Sequence, residues 1–207
     1  VFAPAFTYQY LQTLRNGSLG NFRDLITEIT KNGAMLIYLN GYLNGRTAPD
    51  ENYARELQEL FTVGKGENSG YTEDDVREAA RLLTGWKIDF IEFNVFFAPW
   101  DHDTGDKQFS SFYGNRVIRG GSTQAEAERE LDELIDMILS TDECAKYLCR
   151  RLYQFFVYPF IDDWTENNII SDLAETLRNN NYEIKPVMYQ LLGSQHFFDE
   201  INHGALV

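Results

Sequence analysis

Basic residues are scarce in this chain relative to acidic ones. Lys and Arg together number 18 against 32 Asp and Glu, which gives the 207 residues a net charge of −14. A protein of that charge repels phosphate backbones, so nucleic acid is not expected as a partner. The sequence also lacks an apolar run long enough for a membrane helix, and we therefore expect no membrane span.

Cysteines and recognisable catalytic motifs are few or absent as well. Cys144 and Cys149 are the only cysteines, and their spacing of five in a helical pattern directs them away from each other, which predicts two buried thiols. Neither a phosphate-binding loop, a dinucleotide fingerprint nor a nucleophile elbow occurs. What the chain does have is 43% hydrophobic and 14% aromatic residues, a composition that excludes a disordered protein.

Helical periodicity dominates most of the sequence. Apolar residues recur at helical spacing, and several stretches begin with capping residues, namely Asn21, Thr72 with Asp75, and Thr123 with Glu126. The pattern predicts helices over residues 6–14, 22–29, 34–39, 51–61, 72–85, 123–139, 142–156, 166–179 and 184–192.

One region departs from this spacing. Trp86–Phe97 is rich in aromatic and β-branched residues with partial alternation, and Gln108–Ile118 forms a second run. They predict a hairpin over about 86–118 with its turn at Asp101–Asp106. We therefore predict that residues 1–207 form a single all-α, bundle-like domain with one small β-hairpin insertion.

A first candidate site lies in the helix predicted at 51–61. Arg55, Glu56 and Glu59 are spaced so that they share adjacent helix surface. Two carboxylates so placed could bind a metal ion or act as an acid/base pair, and the alternative is a solvated, salt-bridged face. Because Arg55 borders the apolar stripe, we expect it to be at least partly buried and paired with a neighbouring carboxylate, Glu51 or Glu59.

The acidic loop is a second candidate site. Asp101, His102, Asp103 and Asp106 lie within six residues and are suitable ligands for a hard cation, although their order is not that of an EF-hand. The alternative is a simple turn, in which Asp103 accepts backbone hydrogen bonds and His102 faces the helix of the first candidate site.

Two further features leave alternatives open. His196 and His203 are seven residues apart and could share a face, but surface or capping roles are more common for such histidines. The aromatic run Tyr153–Phe160 predicts a partner-binding surface if it is exposed, and part of the core if it is buried.

A longer motif spans residues 49–64, with the sequence Pro-Asp-Glu-Asn-Tyr-Ala-Arg-Glu-Leu-Gln-Glu-Leu-Phe-Thr-Val-Gly. Further segments of the same pattern follow in order at 71–76, 79–81, 83–86, 102–105 with Lys107, 144–157 and 194–198. Through these motifs the chain resembles the C-terminal portion of the DUF1800 family, bacterial proteins of unknown function. It departs from the family pattern at Asp50 and Gln58, where Asn and Met are more common.

The resemblance implies a mostly helical protein that is exported to the periplasm or cell envelope and is often encoded beside a sulfatase-like partner. It also implies a further N-terminal half with a histidine-containing segment. In that case Glu56, Glu59, His102 and Asp103 would supply only part of any shell around a divalent metal.

Two functions remain open at this point. The first is a binding or scaffold module of the envelope that acts with a partner protein or a surface polymer. The second is a metal-assisted hydrolase, with Arg55, Glu56 and Glu59 as catalytic candidates and His102 and Asp103 as metal ligands. Convergence of these groups in one pocket would favour the enzyme, whereas separate pairing of the carboxylates with arginines would favour the binding module.

Overall fold

Most of the regular structure is helical. The computed structural model describes residues 4–66, 68–200 and 202. In chain order, the helices are α1 (Pro4–Gly17), α2 (Phe22–Thr30), α3 (Gly33–Tyr38), α4 (Asn52–Glu56), α5 (Glu73–Leu82), α6 (Gln124–Leu139), α7 (Asp142–Phe156), α8 (Asp163–Thr165), α9 (Ser171–Asn179) and α10 (Ile184–Leu192).

The predicted helix starts are set by side-chain caps. The Asn21 side chain accepts hydrogen bonds from the first-turn amides of α2. Thr72 with Asp75 and Thr123 with Glu126 form complete capping boxes at α5 and α6. Each cap satisfies amides that a helix leaves without partners at its first turn, which is why these starts could be recognised from local sequence.

Within the described residues, two π-helical segments interrupt this regularity. Leu57–Thr62 continues α4, and Glu166–Ile170 joins α8 to α9. The Thr62 hydroxyl donates to the Leu57 carbonyl at 2.5 Å, five residues back, which matches the spacing of a π turn. A π turn is wider than an α turn, so side chains beyond Leu57 do not lie where α-helical spacing would place them.

The sheets in the described part of the chain are two short hairpins. Strands β1 (Trp86–Asp89) and β2 (Asn94–Phe97) pair antiparallel, as do β3 (Lys107–Gln108) and β4 (Val117–Ile118). The prediction of a mostly helical fold with a small β-hairpin insertion is thus confirmed.

The turn of that insertion lies elsewhere than the sequence suggested. The chain reverses after Asp89, whose carboxylate accepts the amides of Ile91 and Glu92 at 2.8 and 3.0 Å. Such a local Asx-type turn folds the first aromatic run back on itself, so the two runs do not pair across Asp101–Asp106.

The core joins nearly all of the helices, and a smaller apolar cluster of Leu36, Trp86, Phe97 and Ala127 lies under the first hairpin. Cys144 and Cys149 are buried and are not bonded to each other, as predicted. Burial raises the pKa of both thiols, that of Cys149 to about 12, and keeps them protonated at neutral pH. Within the described part of the chain, no helix is both long and apolar enough to cross a membrane.

Candidate functional site

Arg55 joins α4 to α5. Its guanidinium donates to both carboxylate oxygens of Glu73, at 2.9 and 2.7 Å, and to Glu51 at 3.0 Å. The side chain is 33% exposed, which confirms the predicted partial burial. The bonds to Glu73 raise the pKa of Arg55 and lower that of Glu73. Arg55 therefore acts as a clamp between two helices.

Glu59 is not the second partner that α-helical spacing predicted for Arg55. It lies in the π segment and faces Lys65 at 3.3 Å, because the wider turn rotates it away. Glu56 makes no hydrogen bond or ion pair with the described residues. Burial raises the pKa of Tyr71 to about 12, and the nearby charge of Glu59 adds to this rise.

The aspartates of the acidic loop point to different parts of the molecule. Asp101 pairs with Lys87 on β1 at 2.7 Å, and the Asp106 carboxylate accepts the amide of Gly120 at 3.1 Å. Like charges close in sequence are thereby separated and individually satisfied.

Asp103 holds the loop against the last turn of α5. Its two oxygens accept hydrogen bonds from Arg81 at 2.9 and 3.0 Å, and one also accepts the Gly105 amide at 2.9 Å, as the turn interpretation predicted. Burial alone would raise the pKa of Asp103, but the bonds from Arg81 and Gly105 outweigh it and hold the pKa below its usual value.

The prediction that His102 faces the helix of Glu56 and Glu59 is wrong. His102 is fully buried, with Nδ1 at 2.8 Å from the Thr84 carbonyl and Nε2 at 3.3 Å from the carboxylate of Glu130 on α6. The loop folds between the end of α5 and α6, so the imidazole contacts a helix that begins about twenty residues later in the sequence.

His102 belongs to a buried charged network. Glu130 Oε1, the oxygen near His102, also accepts a hydrogen bond from the Gly121 amide at 2.7 Å. Glu130 Oε2 accepts a hydrogen bond from the Lys107 ammonium at 2.7 Å. Lys107 and Glu130 side chains have no exposed surface. Glu130 is not among the residues predicted from the sequence. One signal for it was available, since Glu130 follows Ala127 by three residues on the apolar face of α6.

The two candidate sites lie at opposite ends of α5. Arg55 binds Glu73 in the first turn of α5, and Asp103 binds Arg81 in its last turn. Glu73 and Arg81 are eight residues apart, which corresponds to about 12 Å along the helix. Throughout the described residues, no group of three or more His, Cys, Asp or Glu side chains could hold a metal ion. The arrangement is that of two structural ion-pair clusters at either end of one helix.

An apolar groove lies on another face of the molecule, between α2 and α7. It consists of two adjoining cavities of about 380 and 310 Å³ that share Phe22, Leu25, Leu148 and Arg151 as lining residues. The larger cavity extends toward α9 and α10, and the smaller one toward α1 and the π segment after α4. The further lining residues are Leu152, Phe155, Phe156, Leu177 and Ile184 in the first, and Tyr10, Leu14, Ile26, Ile29, Met35, Leu60, Phe61 and Tyr147 in the second. We call this surface the α2–α7 groove.

The rim of the α2–α7 groove carries exposed apolar side chains. Phe155 is 81% exposed, Leu60 55% and Phe156 41%. In the aromatic run Tyr153–Phe160, Tyr153 is buried, while Phe155, Phe156 and Phe160 are exposed. Tyr153 is therefore part of the core, and the exposed members belong to the surface. Contiguous exposed apolar surface of this kind is typical of interaction sites.

His196 has a structural environment near the end of the described chain. Its Nε2 lies 2.9 Å from the Tyr153 hydroxyl, and its Nδ1 lies 3.2 Å from the Asp199 carboxylate. The imidazole thus ties the last short helical turn to α7. His203 lies outside the described residues.

Comparison with known proteins gives one result. A search of curated proteins and of solved structures finds no match to this chain. The family model described as "Protein of unknown function (DUF1800)" matches residues 3–207, nearly the full length. The ordered motifs of α4, α5, the acidic loop and α7 all lie within that match, and the chain belongs to the DUF1800 family.

Proposed function

We propose that this chain is a non-catalytic binding module that acts with a partner protein through the α2–α7 groove. The observation that carries this proposal is the groove itself. It is an open apolar surface to which six helices and the π segment after α4 contribute, and exposed aromatic residues border it. Apolar surface of this extent on a folded protein is used for recognition more often than it is left in water.

The arrangement of the charged candidates supports the same proposal. Arg55 binds Glu73 and Glu51, while Asp103 binds Arg81, so these side chains hold helices and loops together. Their separation along α5 gives no common point for a substrate. The metal-assisted hydrolase stays an alternative outcome of the experiment below.

We place the module in the bacterial cell envelope, as the family resemblance implies. For the same reason, a sulfatase-like protein encoded beside it is the partner to examine first. A surface polymer in place of a partner protein is the other form of the binding proposal.

The experiment measures binding of the purified sulfatase-like protein to this chain by calorimetry. Phe155→Asp at the groove rim should weaken binding at least about tenfold, since a charge would enter an apolar contact. Ile91→Asp is the matched control, because Ile91 is 85% exposed on the first hairpin and away from the groove lining.

Equal binding by the wild type and both variants would contradict the use of this groove. Metal-dependent hydrolysis by the wild type that is lost on Glu56→Gln and Glu59→Gln, but kept in Phe155→Asp, would instead establish the enzyme. Binding of cell-surface polysaccharide, again lost only on Phe155→Asp, would establish the polymer as the ligand.

A further inference from the structure

Arg151 differs from the other lining residues of the α2–α7 groove. Among the described residues that line the two cavities, it is the one charged residue, and it belongs to both. Arg151 is therefore one of the residues at which the two apolar cavities adjoin.

The Arg151 side chain has no hydrogen bond or ion pair with the described residues, in a chain that carries 32 acidic side chains. Its neighbour Arg150 shows the contrast, since it is held by Glu143 at 2.6 Å and by both oxygens of Glu166. The fold thus neutralises one of two consecutive arginines and leaves the other available at the groove.

The charge pattern restricts what can occupy the groove. A second copy of the chain also carries a charge of −14, so association of two copies would bring together strongly like-charged proteins. A partner with an apolar face and one well-placed carboxylate would instead bury that face and meet the free cation. Arg is suited to this, because its guanidinium can bind a carboxylate through two parallel hydrogen bonds.

The shape of the groove favours a helical segment as the occupant. The two cavities adjoin and both are lined by Arg151, and each has room for a large apolar side chain. Exposed Phe155 and Leu60 leave the groove open to water along its length, which suits a helix laid along the surface more than an enclosed small molecule.

Building on the proposed function, we propose that the partner docks an amphipathic helix in the α2–α7 groove. Large apolar side chains of that helix fill the two cavities, and an Asp or Glu between them pairs with Arg151. Arg151 thereby selects among apolar helices for one with an acidic residue at that point.

The test uses fluorescein-labelled helical peptides of about 20 residues, a length that supports helix formation in water. One peptide presents Leu and Phe on one face with a central Glu, a second replaces that Glu by Gln, and a third scrambles the first. Fluorescence anisotropy measures their binding to the full chain. We expect the Glu peptide to bind about tenfold more tightly than the Gln peptide, because it alone gains a charge-assisted pair.

Arg151→Met should make the Glu and Gln peptides bind equally. Arg46→Met is the matched control, since Arg46 is an exposed arginine outside the groove lining, and it should keep the tenfold preference. Equal binding of both peptides to the wild type, or an unchanged preference in Arg151→Met, would overturn the inference.

Two further outcomes would also overturn it. The helical occupant is wrong if no peptide binds more tightly than the scrambled one, and laurate binding that is lost on Arg151→Met would then identify a fatty-acid site. A partner protein whose binding depends on Phe155 but not on Arg151 would contradict this inference alone and leave the proposed function standing.

Discussion

At the scale of single residues, buried charge is the costliest feature of this protein. The side chains of Lys107 and Glu130 have no exposed surface. The Lys107 ammonium lies 2.7 Å from the Glu130 carboxylate, which also contacts His102. Removing two charges from water carries a large penalty, which a close pair with additional hydrogen bonds offsets. The loss of either partner should therefore cost much more than the loss of an exposed ion pair.

We predict that Glu130→Gln lowers the free energy of unfolding by about 3 kcal/mol or more, because the amide leaves the Lys107 charge without a counterion. Urea denaturation followed by circular dichroism measures this. Glu128→Gln is the control on the same helix, since Glu128 is partly exposed and, among the described residues, accepts only from Gln124. It should change stability by less than about 0.5 kcal/mol. Equal effects of the two substitutions would show that the buried network contributes little.

At the scale of elements, the π segments are the main departure from regular helices. At each of them a hydroxyl donates to the carbonyl five residues back. Thr62 donates to Leu57, and Ser171, the first residue of α9, donates to Glu166. Such a bond occupies a carbonyl that the widened turn makes accessible, and it helps to maintain the local geometry.

We predict that Thr62→Val lowers the free energy of unfolding by about 1 kcal/mol, since the shape is kept while a buried hydrogen bond is lost. Thr13→Val on α1 is the control, because Thr13 is partly exposed and its hydroxyl makes no hydrogen bond with the described residues. Thermal unfolding of both variants beside the wild type measures the difference. A change in Thr13→Val as large as that in Thr62→Val would mean that the π-turn bond has no specific role.

At the scale of the whole molecule, ion pairs between elements make stability depend on acidity. The two oxygens of Glu166 bind Arg150 at 2.6 and 2.9 Å, which joins the helix after α8 to α7. This bond lowers the pKa of Glu166 from its ordinary 4.5. A carboxylate whose pKa is lower in the folded than in the unfolded state stabilises the protein at pH values above its unfolded-state pKa. This stabilisation is lost as the pH falls through its folded-state pKa.

We predict that Glu166→Gln destabilises the protein at about pH 7. Its difference from the wild type should shrink as the pH is lowered from there through the folded-state pKa of Glu166, because the wild-type carboxylate then becomes protonated as well. Urea denaturation across this range provides the measurement. In an Arg150→Met background the substitution should lose most of this pH-dependent effect. A wild-type advantage that persists unchanged at the lower pH would exclude the ion pair as its source.

The sequence by itself determined the helices and the family. The starts at Asn21, Thr72 and Thr123 depend on hydrogen bonds between residues two or three apart, and helical periodicity marks which face is buried. The partial burial of Arg55 and the turn at Asp103 were also predictable, since their signals lie within a few residues. The DUF1800 motifs are likewise ordered along the chain and need no tertiary information.

The tertiary structure decided which charged and aromatic groups meet. Arg55 on α4 binds Glu73 on α5, and His102 binds Glu130 on α6. The aspartates of the acidic loop each bind a different partner. It also placed Arg151 in the lining of both cavities of the α2–α7 groove, to which six helices and the π segment after α4 contribute. Such pairings depend on how elements pack and on the rotation at the π turn, and neither is encoded by the spacing of residues within one helix.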